Sequence, residues 1–132
     1  MNLFIREDIR THNFDDPELT EKLLGMWERF DTSLPHYDAA KYAVYTDYKT
    51  DYKGMYSLGL ATEYEQTSEL LVIDERNDYK VFAVDPSDEH GVLNTWKSIW
   101  AMEESGTLKR AYTIDFEKYH EDGRIEIFIA VE

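Results

Sequence analysis

Cysteine is absent from the 132-residue chain. Disulfides and thiolate chemistry are therefore excluded, and the redox compartment goes unreported. Basic residues are scarce, with 14 Lys and Arg against 28 Asp and Glu and a formal charge of −14. Nucleic-acid binders neutralise phosphates with basic side chains, and no basic block occurs, so direct nucleic-acid binding is not expected. The field of such a chain attracts cations and repels anionic substrates, although acidity serves solubility equally well. No apolar run approaches membrane-spanning length, and the start "MNLFIREDIRTH" has no apolar core of a signal peptide. A cytoplasmic protein without membrane contact is expected. The four histidines, His12, His36, His90 and His120, fall in separate segments without metal-ligand spacing, so no metal or cofactor is expected. Neither a G-x-S-x-G elbow nor a phosphate-cradling glycine loop occurs.

What is present is aromatic. Ten tyrosines and three tryptophans stand beside only three prolines, which favours strands and an aromatic-lined surface or cavity. The length suits one domain with a real hydrophobic core.

The opening 2–14 alternates as an edge strand entering a turn. Asp16 as N-cap and Pro17 at the first helical position start a helix. Leu19, Leu23, Met26, Trp27 and Phe30 give it one apolar stripe to about residue 32. Segments 41–48 and 54–64 read as strands around the polar turn "KTDYK". Segment 69–84 reads as a hairpin turning at Arg76-Asn77-Asp78. "DPSDEH" enters a second helix with Leu93, Trp96, Ile99 and Trp100 on one face, and Gly106 stops it. Strands at 110–117 and 124–131 complete the chain.

Laid side by side, the halves give strand–helix–strand–strand twice, with internal repeats at about 1–64 and 69–132 of a single domain. From Gly54 and Gly123 onward the register agrees: Tyr56, Leu58, Leu60, Ala61 and Glu63 match Ile125, Ile127, Ile129, Ala130 and Glu132. Asp47 and Tyr48 match Asp115 and Phe116. Alternation alone explains part of this; the shared glycine, alanine and glutamate require more. The expected fold is α+β, with duplicated βαββ units forming a pseudo-twofold antiparallel sheet, two helices and a central cleft. Ile125, Ile127, Ile129 and Val131 form an apolar face for the helices. On the opposite face, Glu126, Phe128 and Ala130, or Met55, Ser57, Gly59 and Ala61, either let something approach the backbone or meet solvent or a partner subunit.

One carboxylate is set among aromatics. Glu117 in "RAYTIDFEKYHEDGRIEIFIAVE" lies near Phe116, Tyr119 and Tyr112. Most of the 28 acids are expected to be solvated, but a carboxylate screened by aromatic walls has a raised pKa. An organic cation would restore its charge and add cation–π contacts of about 0.5–2 kcal/mol each. Glu126 is the rival acid. Trp27 is expected in the core, Trp100 either in the core or in a pocket wall, and the tyrosines of "YAVYTDYKTDY" could instead be sheet surface.

The doubled plan, the "W-x-x-I-W" of Trp96 to Trp100, "RAYTIDFEKY" and the closing "IEIFI" resemble the gyrase-inhibitor-like (GyrI-like) effector-binding domains. "RTHNF" and "YAVYTDYKTDYKGMYSL" are similar to the free-standing, integron-associated effector-binding proteins of bacteria. The likeness runs from about residue 8 to the C-terminus. It implies an aromatic cleft that takes up lipophilic, often cationic, small molecules around an embedded glutamate. Carried over by motif, that glutamate is Glu117, with Trp100 and Tyr119 next, then Trp96, Tyr112 and Tyr45. No helix-turn-helix segment accompanies them, and the opening strand is short and polar.

Three functions follow from this reading. The first is a stand-alone module capturing lipophilic, cationic aromatic compounds, with a homodimer or a regulatory protein as open partner choices. The second is a hydrolase of strained electrophiles using Glu117 as general base and Tyr119 as donor. The third is an acidic inhibitor of a DNA-handling enzyme, in which charge rather than the cleft would matter.

Overall fold

The structure is a computed structural model and describes residues 1–14, 16–34, 37–64, 69–74 and 78–132. Seven strands and two helices follow one another as β1 (Asn2–Thr11), α1 (Leu19–Thr32), β2 (Lys41–Thr46), β3 (Tyr56–Thr62), β4 (Leu70–Val72), β5 (Tyr79–Ala83), α2 (Gly91–Glu104), β6 (Asp115–Tyr119) and β7 (Ile125–Ala130). All pairings are antiparallel, in the order β4-β1-β3-β2-β6-β7-β5. The sheet curls into a half-barrel.

Without β4 that order is two three-stranded units meeting at β2 and β6. Register defines their relation. Tyr45 pairs with Leu58 and Glu117 pairs with Ile127. Since Leu58 and Ile127 correspond from the shared glycine onward, Tyr45 and Glu117 are equivalent positions. By the same count Val44 corresponds to Phe116, its own cross-strand partner, so the pseudo-twofold axis passes between them. The match of Asp47 with Asp115 does not hold. Asp115 opens β6, whereas Asp47 lies beyond β2 in a left-handed conformation, φ 50°. The first inter-strand turn is longer, which displaces the alignment before the shared glycine.

Other expectations change in detail. Segment 69–84 is not a hairpin: β4 pairs with β1 and β5 with β7, at opposite edges of the sheet. Its expected turn at Arg76 and Asn77 lies outside the described residues. β1 is consequently not the edge. Helix α1 starts at Leu19, but Asp16 still organises its entry, accepting from the Glu18 amide at 2.9 Å and, through its carbonyl, from the Leu19 amide at 3.2 Å. The expected strand at 110–117 shortens to β6, and Arg110 makes only an isolated bridge to Val131. Gly106 ends α2 with φ 79°, a conformation that glycine adopts without steric cost.

Both sheet faces are buried. On the helix side, α1 packs Met26 and Phe30 on Tyr56, Leu58 and Leu60, while α2 packs Trp96 and Ile99 on Ile127 and Ile129. On the other side the curl encloses Leu3, Ile5, Tyr42, Val44, Ala61, Ile73 and Phe116. Phe116 and Phe128 stack there at 4.6 Å. A bulge between Ile5 and Glu7 lets β1 serve both layers: Leu3 and Ile5 enter the second core, and Ile9 packs on the α1 side. One inserted residue reverses the alternation of a strand. Gly59 does leave room for a close approach, but the group that uses it is Ile5, whose methyl would lie 3.2 Å from an added Cβ.

Candidate functional site

Helices α1 and α2 cover neighbouring parts of the sheet, and between them lies a cavity of about 320 Å³. Leu19 and Leu23 of α1 form one wall, and Val92, Leu93, Trp96 and Trp100 of α2 the other. Tyr45, Tyr48, Tyr52, Tyr56, Leu58 and Glu117 rise from the β2–β3 hairpin and β6, and Asn13 and Arg110 complete the lining. Leu93 is half-exposed on this wall, not a core residue.

Glu117 faces the helices because its partner Ala43 does: paired residues share a face. Its residue exposure is 3 %, a costly position for a charge. Three donors compensate. Tyr45 Oη donates to Oε2 at 2.8 Å, Trp96 Nε1 to Oε2 at 2.6 Å, and Tyr119 Oη to Oε1 at 2.6 Å. Charge-assisted bonds of this kind contribute about 1.5–3 kcal/mol each. Burial still outweighs them and leaves the carboxyl pKa above its ordinary value. Burial and the charge of Glu117 also hold the Tyr45 and Tyr119 hydroxyls well above the phenol range, so both remain donors.

A second charged group closes another part of the cavity. The Arg110 side chain is 1 % exposed, and its Nη2 donates to Asp115 Oδ2 at 2.7 Å while Nη1 reaches Glu103 Oε2 at 3.2 Å. Its guanidinium lies 4.3 Å from the Tyr112 ring centroid, 5.6 Å from Trp96 and 5.7 Å from Tyr48. Despite the desolvation cost, the anionic partners keep it firmly cationic. Asp115 also receives the Ala130 amide at 2.7 Å and Tyr48 Oη at 2.5 Å.

Of the residues singled out by sequence, Glu117, Trp96, Trp100 and Tyr45 meet at this cavity. Tyr119 touches Glu117 from behind; its ring lines a separate open depression with Trp27, 5.0 Å away. Trp27 is thus half-buried at the margin of the α1 core. Tyr112 does not line the cavity. Held at φ 54°, it donates to Glu103 and covers Arg110. Glu126 lies outside and contacts His120 at 2.6 Å. Tyr48, Tyr52, Tyr56, Arg110 and the α1 leucines were missed as site residues. The tyrosine-rich run offered a signal, but Arg110 offered none, since its burial depends on Asp115 and Glu103 folding around it. Among the described residues, no group of His, Asp and Glu could hold a metal ion, and no helix is long and apolar enough to cross a membrane.

Two βαββ units meeting under a pair of helices, with a ligand-sized aromatic cleft between, define an effector-binding domain. The chain belongs to the integron-associated effector-binding protein family, whose sequence model matches residues 4–131. Its structure is similar to that of an integron cassette protein from the mobile metagenome of Vibrio cholerae, with a TM-score of 0.76 and 26% identity over 99% of this chain and 90% of that one. No curated protein matches the chain. Membership of an effector-binding family carries a small-molecule-binding role.

Proposed function

We propose that the protein captures flat, lipophilic organic cations in the cavity between its helices, with the cationic centre drawn to Glu117. The observation that carries this reading is a buried carboxylate at the base of an aromatic slot, with three hydrogen-bond donors but, among the described residues, no cationic side chain bonded to it. The local balance agrees. Glu117, Asp115 and Glu103 bring three formal negative charges against the one positive charge of Arg110. Neutral ligands gain apolar contact alone, whereas a cation also gains Coulomb and cation–π attraction in a water-poor site.

Binding is favoured over hydrolysis by the occupancy of Glu117. Three of the about four lone-pair directions of a carboxylate are taken, leaving little room for a water to be activated there. The test is calorimetric titration with the permanently charged 10-methylacridinium ion and with uncharged acridine at pH 8. The reading predicts tighter binding of the cation. Equal affinity for the two would reject it, and turnover of a cyclopropane-bearing electrophile abolished by Glu117→Gln would favour the hydrolase.

A further inference from the structure

Two buried donors of cavity-lining residues have no acceptor among the described residues. Among the described residues, Trp100 Nε1 and Arg110 Nε are enclosed without a hydrogen-bond partner. Buried donors are normally satisfied, and an unmade bond carries the desolvation cost of the group. Both belong to residues packed around Trp96, which also bonds the Glu117 carboxylate. The Trp96 indole gives its Nε1 to Glu117 at 2.6 Å, its ring lies 5.6 Å from the Arg110 guanidinium, and its centroid is 6.4 Å from Trp100. The lining thus combines an anionic acceptor at Glu117 with a donor at Trp100 that has no acceptor among the described residues.

We propose that the ligand is a flat cation that also bears a hydrogen-bond acceptor, such as a carbonyl, placed to meet Trp100 Nε1. The inference rests on the capture of cations at Glu117 and specifies what the rest of the ligand must be. Arg110 already occupies the ring faces of Tyr112, Trp96 and Tyr48. Its charge is matched there by Asp115 and Glu103, so what the lining leaves unmet is a donor. A carbonyl would gain the Nε1 that Trp100 now leaves unused. Small movements can expose that donor, because the rings packed on Trp100 belong to loop residues: Tyr52 stacks on it at 5.2 Å and Phe14, 57 % exposed, meets it at 5.5 Å.

The experiment titrates three ligands of one shape into the full chain by calorimetry: 10-methylacridinium, its 2-carboxamide and its 2-isopropyl derivative, which has similar bulk and no acceptor. The carboxamide is expected to bind about five- to tenfold tighter than the parent and tighter than the isopropyl derivative. In Trp100→Phe, which keeps a ring but removes Nε1, the carboxamide advantage should shrink at least by half. Should that variant fail to fold, the three-ligand order in the unaltered protein decides alone. If the parent binds through Glu117 but the carboxamide gains nothing, or the isopropyl derivative binds as tightly as the carboxamide, this inference is overturned and cation capture stands. If the parent does not bind, or binds equally to Glu117→Gln, both readings fall together.

Discussion

Tyr45 and Glu117 hold equivalent register positions in the two halves of the sheet, and the hydroxyl of the first donates to the carboxylate of the second at 2.8 Å. The pseudo-twofold arrangement thus sets two side chains near its axis, one a donor and the other an acceptor. Trp96 and Tyr119 supply the remaining donors to that acceptor.

Removing a donor raises the proton affinity of Glu117 further and weakens its hold on a cation. Trp96→Phe keeps an aromatic ring against Ile99 and Tyr45 but removes Nε1. Affinity for 10-methylacridinium at pH 7 should fall about three- to tenfold, or about 0.7–1.4 kcal/mol. Calorimetric titration reads the change; an unaltered affinity would show that the Trp96 bond does not tune the carboxylate.

Tyr119 and Tyr112 separate direct contact with Glu117 from mere proximity in sequence. Tyr119→Phe removes the only hydroxyl on Oε1 among the described residues and should weaken cation binding by a similar factor. Tyr112→Phe retains the ring over Arg110, outside the cavity lining, and should leave affinity within about twofold. A larger loss for Tyr112→Phe than for Tyr119→Phe would contradict this geometry.

The raised pKa of Glu117 sets two pH trends of known sign. Between its unfolded and folded pKa values the native state binds more protons than the unfolded chain. The contribution of this group to stability is therefore fully present below the unfolded value and is lost as pH rises through the folded one. Affinity for a permanent cation runs oppositely, rising over the same interval as the carboxylate ionises. Glu117→Gln should flatten both trends, as followed by urea denaturation and by titration from pH 4 to 8.

Gly91 opens α2 where Val84 and Asp85 pass close by. A Cβ there would lie 2.8 Å from Val84 Cγ1 and 2.9 Å from the Asp85 carbonyl oxygen. Gly91→Ala should cost about 1–3 kcal/mol through overpacking, read as a lower urea midpoint with an unchanged slope. No loss would mean that the helix start shifts freely.

The sequence shows most clearly what depends on local period. The two helices and the β2–β3 and β6–β7 hairpins follow from apolar spacing, and the acid among aromatics in "DFEKY" stands out without any coordinates. Partners chosen across the sheet are less visible. The alternation of 69–84 is that of two strands, yet nothing in it shows that Leu70–Val72 joins β1 while Tyr79–Ala83 joins β7. The second core is hidden for the same reason, since one bulged residue in β1 changes which side chains point inward. Arg110 is the extreme case. Its burial becomes tolerable only when Asp115, Glu103 and three aromatic rings converge on it.

The most direct measurement is a paired calorimetric titration of 10-methylacridinium into the native chain and into Glu117→Gln at pH 7. The account predicts one-to-one binding that weakens about 10- to 100-fold in the variant, equivalent to about 1.4–2.7 kcal/mol, with the variant still folded by circular dichroism. Equal affinity of the two proteins would show that the buried acid does not select the ligand.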